Sequence, residues 1–67
     1  MNEELFNLEL RKFLKRFGIT AQREIEKAVR DAVSAGRLKG QALPAKATIT
    51  VEGLGLSFEI DGAIELE

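Results

Sequence analysis

Phe17-Gly18-Ile19-Thr20-Ala21 lies between two stretches of helical periodicity, and whether the chain turns there decides the fold. On its N-terminal side Phe6, Leu10, Phe13, Leu14 and Phe17 are spaced 4, 3, 1 and 3, the pattern of one helix face. On its C-terminal side Ile25, Ala28, Val29, Ala32 and Val33 follow the spacing i, i+3, i+4, i+7, i+8. Gly18 can take the left-handed conformation that ends a helix, and Ile19 can pack back over the preceding turn. Thr20 suits an N-cap for the next helix, although Arg23 stands where a capping box wants Glu or Gln. The spacing therefore predicts two helices, about residues 3–17 and 21–35, folded back on each other through Gly18-Ile19-Thr20. Asn2 can cap the first helix. Glu3 and Glu4 suit its positive end, and Arg11, Lys12, Lys15 and Arg16 its negative end. Gly36 is a natural stop for the second.

Outward from the helices, residues 36–46 read as a connection punctuated by Gly36, Gly40 and Pro44, with Leu38 and Leu43 pinning it to the core. From Ala47 the period changes to two. Ala47, Ile49 and Val51 alternate with Thr48, Thr50 and Glu52; Leu56, Phe58 and Ile60 alternate with Ser57, Glu59 and Asp61. These are strands, about 47–52 and 56–61, each with one dry and one wet face. A type II′ turn with Gly53 at its first central position pairs Val51 with Leu56, Ile49 with Phe58 and Ala47 with Ile60. A one-residue slip breaks every one of these apolar pairs. Asp61-Gly62 is a hairpin signal that offers a third strand over 63–66. A two-residue turn there puts Ile64 on the polar face, whereas a three-residue turn pairs it with Ile60 and keeps the burial pattern. The expected fold is one α+β domain spanning 1–67. It has two layers, a helical hairpin packed on a small antiparallel β-hairpin or three-stranded meander, in the order ααββ(β).

At 67 residues the chain is near the lower end of what folds unaided. It has no Cys for a disulfide and no His or Cys for a zinc site, so oligomerisation is the remaining common support for so small a core. Hydrophobic residues at 45% and charged residues at 31% place it among globular chains and away from disordered ones. The net charge is −1, but it is unevenly spread. Residues 1–39 carry nine Lys/Arg and six Asp/Glu, giving +3; residues 40–67 carry one and five, giving −4. No apolar run approaches a membrane span, and the acidic start Asn2-Glu3-Glu4 is not a secretory leader, so a cytoplasmic location and no membrane partner are expected. Leu66-Glu67 reads equally as native sequence or as a remnant of a purification tag.

Few residues offer chemistry. Without His, Cys or Tyr, the hydroxyls of Ser34, Ser57, Thr20, Thr48 and Thr50 lack the usual base, and Lys27 and Lys39 look too solvated to serve as one. Glu52, Glu59 and Asp61 share the wet face of a sheet, where they solubilise the edge and do not form a pocket. Asp61-Gly62 with Glu65 falls far short of a calcium loop. Gly53-Leu54-Gly55 opens a strand, whereas a phosphate-binding loop opens a helix. No catalytic residue, cofactor, metal or small-molecule substrate is expected, and the chain is read as non-enzymatic.

Two surfaces remain. Leu5 and Leu8 fall opposite the main apolar stripe, near Lys12 and Lys15, as an apolar pair rimmed by charge that suits a protein interface. Self-association through them or through a sheet edge is the leading expectation. Arg11, Lys12, Lys15, Arg16 and Arg23 form an acid-free basic run, and helix–turn–helix followed by a hairpin is similar in order to part of a winged helix-turn-helix. Against nucleic acid stand the Glu26–Arg30 pair, an isoelectric point of about 5.5, and the placement of all four Phe residues on core faces. Nucleic-acid binding is accordingly the second reading.

Phe17-Gly18-Ile19-Thr20-Ala21-Gln22-Arg23-Glu24-Ile25-Glu26-Lys27-Ala28-Val29 resembles a small bacterial family known only as a domain of unknown function. Arg11-Lys12-Phe13-Leu14-Lys15, Gly36-Arg37-Leu38-Lys39-Gly40, Leu43-Pro44-Ala45 and Ile60-Asp61-Gly62 extend the resemblance over nearly the whole chain. The resemblance implies a short free-standing protein and carries over no activity.

Overall fold

The structure, a computed structural model, describes all residues 1–67. One helix, α1 (Glu3–Ser34), is followed by two strands, β1 (Leu43–Val51) and β2 (Leu56–Ile64), paired antiparallel. The order is αββ, an α+β chain. The expected helical hairpin is not formed: helices over 3–17 and 21–35 are one helix of 32 residues, and Gly18, Ile19 and Thr20 lie inside it.

Three observations account for the continuity. Gly18 is not among the glycines with positive φ, so it neither ends the helix nor turns the chain. A glycine in a helix interior costs only about 1 kcal/mol relative to alanine, and Thr20 is tolerated too. The apolar stripe also keeps its phase across the junction. Phe6, Phe17 and Ala28 recur every eleven residues, as do Leu10, Ala21 and Ala32, and Leu14 and Ile25. Eleven residues make three turns of 3.67, close to the natural 3.6, so one nearly straight helix carries a single stripe along its whole length. Ile19, expected to pack over a helix end, instead stands half exposed on the opposite side.

Both helix ends are satisfied locally. The Leu5 amide donates to Asn2 Oδ1 at 3.0 Å, the expected N-cap. At the other end Gly36 has φ +72°, its amide donates to Val33 O at 3.0 Å and the Arg37 amide donates to Ala32 O at 2.9 Å. These two bonds are a Schellman motif, with Gly36 in the left-handed position it requires.

The hairpin has the expected register: Ala47 faces Ile60, Ile49 faces Phe58 and Val51 faces Leu56. The turn is longer than the expected two residues, with Glu52-Gly53-Leu54-Gly55 all outside the strands, and Gly53 (+87°) and Gly55 (+62°) absorb its left-handed positions. Both strands also run further than expected. Leu43 and Ala45 continue the two-residue alternation of β1, and Leu43 pairs with Ile64. No third strand forms over 63–66, because β2 runs straight through Asp61 and Gly62 to Ile64. Straight continuation puts Ile60, Gly62 and Ile64 on one face, which satisfies the burial pattern with no turn; Gly62 faces Ala45. Pro44 is accommodated because a two-stranded sheet consists only of edges. On the wet face Lys46 Nζ lies 3.1 Å from Glu59 Oε2, and Thr50 and Ser57 hydroxyls are 3.3 Å apart.

The hairpin runs back along the helix, with Leu43 near Ala32 and Val51 near Leu10 and Phe13. Leu43, Ala45, Ala47 and Ile49 of β1 are half-buried, while Leu56, Phe58 and Ile60 of β2 stay exposed. The helix thus covers β1 more than β2. Leu38 is half-buried beside Leu43, as expected of a residue that pins the connection. Very little is enclosed: Ala32, at 8% exposure, is the single buried residue. The extents are 51 × 20 × 18 Å and the radius of gyration is 16.0 Å, whereas a compact domain of this length has about 11 Å. No helix is long and apolar enough to cross a membrane.

Candidate interaction surface

The longest apolar feature is the stripe of α1. It runs from Phe6 to Val33, about 40 Å at 1.5 Å per residue. In the expected fold these residues were core. Here they lie on the face turned toward the hairpin, yet they are not buried: Phe6 and Phe13 are each 51% exposed, and Phe17, the most covered of the helix's three, is 39% exposed. The cause is geometric. A helix about 10 Å wide lies on a sheet only two strands wide, and neither can wrap the other.

Between the helix and the hairpin this leaves an open, largely apolar groove. Near its middle it is lined mainly by Phe17, Ala21, Ile25, Ala47, Ile60 and Ile64, with Lys46, Thr48 and Asp61 at its border. Toward the turn the lining passes to Phe6, Leu10, Phe13 and Val51. Both strands form its floor and the helix one wall, and the β2 side is the more exposed. Side chains of this kind hold apolar surface and offer little to orient a polar ligand, which suits a packed protein element better than a metabolite.

Leu5 and Leu8 stand on the far side of the same helix, 53% and 48% exposed. Ile19 lies on that side too, so the straight helix adds a third apolar residue to the pair. They are about as exposed as the stripe and form a smaller patch.

The continuous helix also rearranges the basic residues. Lys12, Arg16 and Arg23, at spacings of four and seven, fall along one side instead of on two antiparallel helices. Lys15 is close enough to Lys12 and Arg16 to share a shallow depression with Ile19 and Thr20. Arg11 points elsewhere, its Nε donating to Asn7 O at 3.4 Å. Acidic neighbours interrupt the row: Glu9 lies 3.7 Å from Lys12, and Glu26 lies 3.9 Å from Arg30. These pairs are solvent-exposed and contribute little to stability.

Sequence reasoning overlooked the β2 strip, Leu56, Phe58 and Ile60, because alternation tells which face is dry without telling whether anything covers it. The available signal was proportion: two short strands offer a dry face too narrow for all the apolar residues assigned to it.

Residues 1–67, the whole chain, match the model of a family of unknown function, DUF6494, and the chain belongs to that family. No curated protein and no solved structure matches it.

Proposed function

We propose that this member of the DUF6494 family is a small cytoplasmic, non-catalytic protein–protein interaction module that presents the apolar face of α1 and its hairpin to a protein partner. The observation that carries the proposal is the open groove between α1 and the hairpin, in a chain with a single buried residue. Large exposed apolar patches on soluble chains mark interaction sites. The non-catalytic part rests on residue inventory: no His, Cys or Tyr is available to activate the hydroxyls present.

A second reading, a nucleic-acid-binding accessory protein using Arg11, Lys12, Lys15, Arg16 and Arg23, gains one observation, the alignment of Lys12, Arg16 and Arg23 on one side. It ranks below the first because Glu9 and Glu26 interrupt that side and the Phe rings lie on the opposite one. The test is cross-linking of the full chain in the cells that express it, followed by the Phe13→Asp variant. The module reading expects a cross-linked protein adduct that Phe13→Asp removes. An adduct unaffected by Phe13→Asp, together with a duplex mobility shift that weakens steeply with salt, would put the nucleic-acid reading first.

A further inference from the structure

We infer that the protein partner covering this groove is a second copy of this chain, docked isologously, so that the open groove of each copy is closed by the other. This inference rests on the interaction module proposed above and names its partner.

The area argues for a second copy. The chain exposes 6014 Å². A compact monomer of this mass exposes about 4,200 Å², so roughly 1,800 Å² per chain is surface that a finished fold would bury. A partner of ordinary size covers only about 800 Å² on each side and would leave more than half of that excess wet. Two copies covering each other's excess bury about 3,600 Å² in total, within the range of obligate homodimers and well above transient complexes.

The shapes are self-complementary. Each chain has one apolar strand without a helix over it (Leu56, Phe58, Ile60) and one helix whose stripe is only partly covered (Phe6, Phe13, Phe17). The strand is about 30 Å long and the stripe about 40 Å, and they run side by side. A two-fold axis between the copies places each on the other's counterpart, so residue i meets j and j meets i. The open side of each groove is then closed by the other copy. Because the eleven-residue stripe keeps the helix nearly straight, it can stay against a strand over the full length of β2.

The experiment measures solution mass by light scattering, with helical circular dichroism on the same samples, for the full chain and for Ile60→Glu and Leu8→Glu. The expected result is twice the one-chain mass of 7.4 kDa for the parent and for Leu8→Glu. Ile60→Glu puts a charge into the interface twice by symmetry and is expected to weaken association at least about a hundredfold. Should Ile60→Glu simply unfold, isotope-filtered NOEs in a mixture of labelled and unlabelled parent chains still decide. Contacts between Ile60 methyls and helix Phe rings of the other copy support the arrangement; their absence from a dimer overturns it. A dimer that Leu8→Glu dissociates and Ile60→Glu spares also overturns it, moving the interface to the far side of α1. A one-chain mass with little helix overturns self-pairing and leaves the interaction module standing, with a different partner. A one-chain mass with full, cooperatively melting helix overturns both.

Discussion

Replacing Gly18 with alanine separates the one-helix fold from a helical hairpin by the sign of its effect. Gly18 sits in the sixteenth position of a 32-residue helix with ordinary negative φ, and a Cβ built there meets nothing within 4 Å. Alanine in a helix interior is worth about 0.5–1 kcal/mol over glycine, with the gain shared between better helix propensity and a less flexible unfolded chain. For a chain of this size 1 kcal/mol moves the melting midpoint by roughly 4–8 °C, so Gly18→Ala should raise Tm by about 2–8 °C at fixed protein concentration. If Gly18 instead turned the chain in a left-handed conformation, alanine there would cost about 1–2 kcal/mol and lower Tm by about 4–16 °C. Thermal melts by circular dichroism at 222 nm read the difference directly. A lowered Tm with unchanged solution mass would refute the continuous helix. A lowered Tm with reduced mass would instead locate Gly18 where the two helices of a dimer approach closely.

Two further substitutions test the helix ends. Gly36→Ala forces a Cβ into φ +72° and should destabilise by about 1–2 kcal/mol, the opposite sign to Gly18→Ala, in the same melts. Asn2→Ala removes the acceptor for the Leu5 amide and should cost about 1 kcal/mol, with hydrogen exchange accelerated at the first-turn amides and unchanged beyond Leu14.

How far the sequence could be read depended on the kind of signal. The hairpin register was legible because a one-residue slip would turn Val51, Ile49 and Ala47 all to the wrong face; burial and alternation agreed, and the pairs with Leu56, Phe58 and Ile60 formed. The caps at Asn2 and Gly36 were legible because each stands at the edge of a periodic segment. Gly18 was misread because glycine is compatible with a stop without requiring one. The deciding information was the unbroken phase of the stripe from Phe17 to Ala21 and Ile25, which a two-helix reading had divided. Asp61-Gly62 failed in the same way: a strong turn dipeptide gave way to the pattern Ile60, Gly62, Ile64, which needs no turn. The Phe faces were correctly assigned, but their exposure was not legible. Periodicity shows which side of an element avoids water; whether the same chain can supply the cover depends on how many elements there are. Straightening two helices into one left a single helix over the sheet where two were expected, and left Phe6, Phe13 and Phe58 half open. Leu5 and Leu8, chosen because they fell off the stripe, became the smaller of two apolar surfaces.

The claim that a second copy completes the fold is tested most directly by the dependence of Tm on protein concentration. Folding coupled to pairing of two 67-residue chains has an unfolding enthalpy of about 90 kcal/mol per dimer, so a hundredfold increase in concentration should raise Tm by about 10 °C. A cooperative melt whose midpoint stays fixed across that range would contradict it.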